Sequence, residues 1–286
     1  MREKKEKKEK AEKKRVGVRK TVGDVKEYAK ENKATTFVYV ILRVLVVVVM
    51  VAEVFNRNWN NVFLCILTLF LFTVPIFIDR RLHIDLPDTL EIIILLFIFA
   101  AEILGEINEY YLHYPNWDVM LHTMNGFIMA AIGFSLIDIL NQSERFSIKL
   151  SPLFVSLVAF CFSMTVGVLW EFFEFFMDYF AHMDMQKDTV LKSITSVMLH
   201  PDGRNIPLTV SVESLEVNGE IWNYGGYIDI GLYDTMADLF VNFIGASVFS
   251  VIGHFYIKGR GRGRFARRFI PTLKSREEIE MLQEHE

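Results

Sequence analysis

Six stretches of this chain stay apolar for about the length of a membrane crossing, and in four of them polar positions recur at helical spacing. The apolar runs are Thr36–Phe55, Trp59–Ile78, Asp88–Gly105, Trp117–Leu140, Pro152–Phe180 and Tyr233–Ile257. Roughly 20 apolar residues in an α-helix cross a hydrocarbon layer about 30 Å thick. The pattern therefore predicts an all-α integral membrane domain of six transmembrane helices over residues 36–257. The one long connection, 181–232, behaves differently. Pro201-Asp202-Gly203 and Asn218-Gly219 are hairpin turn signals, and Leu215, Val217 and Ile221 alternate with polar residues around the second. A small β-rich insert between helices five and six follows.

Charge sets the direction of the crossings. Residues 1–33 carry 14 Lys and Arg, and residues 258–286 carry 8. The connections carry Arg57, then Arg80 and Arg81, then none, then Arg145 and Lys149. Such alternation, with basic tails at both ends, predicts both termini in the cytoplasm and the β-rich insert outside. Trp59, Trp117 and Trp222 fall on the predicted outer side with Tyr110, Tyr111 and Tyr114, where an aromatic belt belongs. The tails, 1–35 and 258–286, read as solvated topology-setting segments. No apolar core with a small-residue cleavage site marks the N-terminus as a signal peptide.

Composition supports a multi-pass cell-membrane protein, at 52% hydrophobic with 25 Phe. The net charge of −4 hides a segregated distribution. Cys65 and Cys161 both lie in apolar runs, so neither a disulfide framework nor a thiolate metal site is expected. P-loop, dinucleotide-binding, nucleophile-elbow and His-x-x-x-His patterns are absent from the sequence. The basic tails lack the interleaved aromatics of a nucleic-acid binder, so the bilayer is the expected partner.

The informative polar residues lie inside the spans. Tyr233–Ile257 carries Asp234, Asp238, Asn242 and Gly245 on one helical face. The run from Trp117 places Asp118, His122 and Asn125 on one face, and the fifth run does the same with Glu171, Glu174 and Asp178. Glu102 and Glu106 end the third. With the predicted orientation all of these reach the outer leaflet, where an ionised carboxylate costs about 2.5–3.5 kcal/mol unless it faces protein or water. Eight carboxylates share that layer with no Lys or Arg in the adjoining spans, and His122 is the sole candidate base. Such a cluster must bind protons or a cation. The candidate cofactor is a divalent metal: oxygen ligands suit Mg²⁺ or Mn²⁺, and a histidine admits Zn²⁺.

The expected ligands are Glu171, Glu174, Asp238 and His122; the expected catalytic group is His122 with Asp118 orienting it and Glu174 beside it. Asp118 and Asp234 are equally placed as helix N-caps. Asp178 and Glu106 fit wet interfacial positions, Asn242 a helix–helix hydrogen bond, and Gly245 a close-packing notch. On the inner side, Arg43 is expected to pair with Glu91 or Asp138.

Asp118-x-x-x-His122, Trp170-Glu171-x-x-Glu174 with Asp178, and Asp234-Thr-x-x-Asp238-x-x-x-Asn242-x-x-Gly245-Ala246 resemble bacterial membrane proteins of the YjdF type. More distantly, the Asp-x-x-x-His and Asp-x-x-x-Asn-x-x-Gly helices look like VanZ-like proteins, a group linked to glycopeptide-antibiotic resistance. Glu174 stands where that group tends to have Gln. The resemblance implies a bacterial envelope location and a shared polar site, and it names no reaction. Three functions fit the residues. One is a metal-dependent enzyme working on a lipid-linked or envelope substrate at an outward-facing site. The second is a proton- or cation-coupled transporter or flippase. The third is a non-catalytic resistance or partner-binding factor.

Overall fold

The computed structural model describes residues 33–81, 84–142, 150–259 and 263–273. Most of both predicted tails, and the Arg145–Lys149 connection, lie outside the described residues. The helices are α1 (Lys33–Asn56), α2 (Trp59–Leu71), α3 (Val74–Arg81), α4 (Asp88–Phe99), α5 (Tyr110–His113), α6 (Trp117–Gln142), α7 (Pro152–Ala181) and α8 (Leu232–Lys258). A π-helical segment, Ala100–Ile107, continues α4.

Five helical stretches among the described residues are long and apolar enough to cross a membrane: 33–56, 59–78, 117–138, 152–181 and 232–258. The predicted third span differs, because its helix changes winding at Ala100. The predicted second span is interrupted between Leu71 and Val74. Pro75 has no N–H for the helical ladder and disfavours helical geometry in the residue before it.

Burial runs opposite to that of a water-soluble protein. On α7 the buried face is Val155, Ser156, Ala159, Ser163, Gly167, Glu171 and Glu174. Its exposed face carries Leu157, Leu169, Trp170, Phe172, Phe173 and Phe176. Small and polar residues turned inward, with large apolar ones outward, suit helices packed in lipid.

The helices form two groups. In the first, α6, α7 and α8 pack mutually, with Ala130, Ala131, Phe134, Ala159, Ala246 and Phe249 as a common core. Glycine sets their separation. A Cβ on Gly126 would stand 2.1 Å from the Asn242 carbonyl oxygen, and one on Gly245 would stand 2.0 Å from that of Thr123. Helices α6 and α8 thus touch backbone to backbone, and Gly245 is the notch its position predicted. Ser163 of α7 donates to the Gly126 carbonyl at 2.8 Å, tying the third helix in.

In the second group α1, α2, α4 and the π segment enclose Tyr39, Val46, Cys65, Phe72, Leu95 and Ile103. Thr35 at the start of α1 donates to Asp88 at the start of α4 at 2.9 Å, so these helices begin together. The Arg43 guanidinium lies over the Tyr39 ring, 4.3 Å from its centroid, and donates to its hydroxyl at 3.2 Å. Helix α4 and the π segment join this group to α6.

The strands form four antiparallel pairs. β1 (Ile84–Asp85) pairs with β8 (Thr272–Leu273), which places the connection after α3 beside the chain that follows α8. Between α7 and α8, β2 (Thr189–Leu191) pairs with β7 (Tyr227–Asp229) at the base of the insert. β3 (Ser193–Ser196) pairs with β4 (Leu208–Ser211), and β5 (Leu215–Val217) with β6 (Glu220–Trp222). The turn between β5 and β6 is Asn218-Gly219, both at positive φ, as a two-residue hairpin loop requires.

Candidate functional site

The polar stripes of α6, α7 and α8 meet at one end of the three-helix bundle. His122 of α6 is central. Its Nε2 lies 3.4 Å from Asp118 Oδ1 and 3.8 Å from Asp238 Oδ2, and its Nδ1 lies 3.8 Å from Glu171 Oε1. Glu171, Glu174 and Asp238 are 4%, 7% and 2% exposed, far less than carboxylates ordinarily tolerate. Trp170 Nε1 donates to Glu174 Oε1 at 2.8 Å. Both oxygens of Glu171 and Oε2 of Glu174 are buried without a hydrogen-bond partner among the described residues.

Two ligand sets come out of this arrangement. Asp118, His122 and Asp238 bring one donor atom each within 4.8 Å of the others, and so do Glu171, Glu174 and Asp238. Two ligands on opposite sides of a Mg²⁺ or Mn²⁺ ion stand about 4.2 Å apart, so the donor spacing in each set is compatible with a divalent ion. The orphaned Glu171 oxygens and the acid-rich donor sets fit a hard divalent cation.

Beneath the acids, Asn125 Nδ2 donates to Asn242 Oδ1 at 3.2 Å, the helix–helix bond predicted for Asn242. Gly167 clears the space for it, since a Cβ there would stand 2.7 Å from Asn242 Nδ2.

A cavity of about 370 Å³ opens on the cluster. Asp118, Glu174, Asp234 and Asp238 line it from the three-helix bundle, and Glu102 and Glu106 from the π segment. Its opposite wall is apolar, made by Phe63, Leu64, Leu67 and Leu71 of α2. π-helical turns cost backbone geometry and recur at functional sites. Here the π winding presents both glutamates to the cavity. Tyr111 also lines it, and loss of water around the phenol, with Asp118 and Glu106 nearby, holds its pKa well above the ordinary value. The ring therefore stays neutral and able to donate.

Two predicted acids have other partners. The N-cap of α8 is Gly231, at φ 94, not Asp234. Asp234 Oδ2 instead accepts from the Lys187 backbone N–H at 2.7 Å. Asp178 accepts from Met185 N at 2.6 Å and Gln186 N at 2.9 Å. These two carboxylates hold residues 185–187 against the bundle, helped by Gln186 Nε2 donating to Thr235 Oγ1. The segment brings Lys187 into the cavity wall. Its ammonium donates to the Asp184 carbonyl and lies 6.0 Å from the Tyr111 centroid. Lys187 is the cation that the helix pattern missed, because it arrives from a connection with no periodicity.

Residues 37–259, most of the chain, match the family described as predicted membrane proteins, DUF2238. The chain belongs to that family. Its YjdF-type likeness in sequence is this same kinship. The DUF2238 match begins within α1 and ends at the foot of α8, so it takes in every residue of the acid cluster. No curated protein and no solved structure matches the chain.

Proposed function

We propose that this DUF2238 protein crosses the cell membrane six times with both termini inside, residues 88–107 forming the third crossing. Its acid cluster faces outward and holds a divalent cation that serves hydrolysis or transfer at a phosphate or ester of a lipid-linked substrate. The observation that carries this reading is Glu171, nine-tenths buried with neither oxygen hydrogen-bonded among the described residues. A buried carboxylate in that state is strongly disfavoured unless a proton or a cation meets it.

Each residue then has a task. Glu171, Glu174 and Asp238 hold the ion. His122 and Asp118 sit beside it, placed to take a proton or to donate further ligands. A divalent cation held by these residues would supply Lewis-acid stabilisation of the negative charge that develops on the phosphoryl or ester oxygens. The apolar lining from α2 suits a hydrocarbon chain, and Lys187, which also lines the cavity, a phosphate oxygen. An amphipathic cavity of this kind favours a lipid with an anionic head over a soluble metabolite.

The test is Mn²⁺-dependent release of phosphate from a prenyl diphosphate in detergent micelles. The native protein should turn over and Glu171→Gln should lose at least about 100-fold, the scale of removing one group that stabilises transition-state charge. Equal rates in the two would overturn the reading.

A second reading, a proton-coupled transporter, draws on different residues. Ser156 Oγ, Ser250 Oγ and His254 Nδ1, farther along α7 and α8, are also buried without hydrogen bonds among the described residues. They lie toward the ends of α7 and α8 opposite the acids. Proton flux in vesicles under a pH gradient, abolished by Ser250→Ala with no metal requirement, would favour that reading.

A further inference from the structure

We infer that the site holds two divalent cations, with Asp238 as the carboxylate shared between them. This rests on the reading that the cluster binds metal at all, and it assigns the role of His122.

The two ligand sets have one member in common. Asp118, His122 and Asp238 form one, Glu171, Glu174 and Asp238 the other, and in each the donor atoms lie within 4.8 Å of one another. A carboxylate has two oxygens and can serve two ions at once, and paired catalytic ions stand about 3.5–4 Å apart. Asp238 is well placed for this: it is 2% exposed on α8 and is the one residue common to both sets.

The imidazole favours ligation over a free base. Nε2 faces Asp118 and Asp238, the two other members of its set, while Nδ1 faces Glu171 at 3.8 Å. A histidine that binds metal through one nitrogen usually gives the other N–H to a carboxylate, which fixes its tautomer and orientation. With Nε2 on an ion, Nδ1 would face Glu171 Oε1 at 3.8 Å, within reach of a hydrogen bond after a small side-chain shift.

Charge balance points the same way. Asp118, Glu171, Glu174 and Asp238 bring four negative charges when ionised, and His122 is neutral as a ligand. One divalent ion would leave two of these four charges to other groups, while Glu102, Glu106 and Asp234 add acid to the same cavity and Lys187 only one positive charge. A second ion would offset them where Glu171, Glu174 and Asp238 are almost fully buried. The unpartnered Glu171 oxygens and Glu174 Oε2 supply open coordination positions on the α7 side.

The deciding experiment is Mn²⁺ titration of the full chain in detergent, read by metal analysis and electron paramagnetic resonance. Two Mn²⁺ per chain with a broadened, exchange-coupled spectrum is the expected native result. His122→Ala should keep one ion and show the six-line spectrum of isolated Mn²⁺. Glu174→Gln should keep one on the other side. Asp238→Asn, which removes the one carboxylate common to both sets, should lose bound metal and with it the coupling. One Mn²⁺ per chain in the native protein, with an isolated spectrum, would overturn the two-ion assignment and leave the single-ion reading intact. No bound Mn²⁺ would overturn both. Because the native stoichiometry already decides, a variant that fails to fold leaves the answer unchanged.

Discussion

The α6–α7–α8 bundle and the α1–α2–α4 group are both made of apolar helices, yet glycine contacts between backbones and polar bridges are concentrated in the bundle. In the bundle, Gly126 and Gly245 let two backbones touch, and polar side chains such as Ser163, Asn125 and Asn242 bridge the helices. In the other group Tyr39, Phe72, Leu95 and other large side chains fill the space between axes. Lipid tails are as apolar as leucine, so close approach and polar bridges give bundle helices a specific register that apolar filling does not. The bundle can therefore fix five ionisable side chains in one place. The α1–α2–α4 group supplies apolar lining of the cavity through α2.

The contrast is most easily broken at its glycines. Gly245→Leu would drive a side chain into the Thr123 carbonyl, which cannot move without moving α6. We expect it to cost about 3 kcal/mol or more and to reduce the yield of folded protein, measured by thermal unfolding in detergent. Leu67→Ala, on the α2 wall of the cavity, should cost about 1 kcal/mol or less. Equal losses would remove the distinction between the two groups.

Asn242→Leu should cost roughly 1 kcal/mol, the scale of an interhelical hydrogen bond in lipid. A double variant with Asn125→Leu should cost less than the sum of the two singles, because one bond is counted in both. Asp178→Ala tests the strap rather than the bundle. It removes the acceptor of two backbone N–H groups, so trypsin cleavage after Lys187 should quicken several-fold while the unfolding temperature barely moves. The smallest effect belongs to Tyr111. Its folded pKa is raised, so the folded state keeps the proton that the unfolded chain gives up, and stability falls as pH rises above about 10. Tyr111→Phe should flatten that alkaline decline and leave stability at neutral pH nearly unchanged.

Helical spacing made much of the site legible in the sequence. Asp118 with His122, Glu171 with Glu174, and Asp238 with Asn242 each fall on one face, and a polar face in an apolar helix has few places to go. The Asn218-Gly219 turn was legible for the same local reason. Three features were not. The π winding at Ala100–Ile107 adds about one residue to a turn, which a 3.6-residue period does not reveal. The entry of Lys187 depends on Asp178 and Asp234 gripping a connection whose path no periodicity sets. The apolar wall from α2 depends on how two helix groups sit together, and Leu64 and Leu67 look like any lipid-facing leucines in the sequence.

The most direct measurement is the divalent-metal content of gently purified native protein against Asp238→Asn, with thermal unfolding confirming that both are folded. The account predicts stoichiometric metal in the native protein and its loss from Asp238→Asn, together with a lower unfolding temperature on chelation of the native protein alone. Equal metal content in the two folded proteins, or none in either after incubation with Mn²⁺, would contradict it.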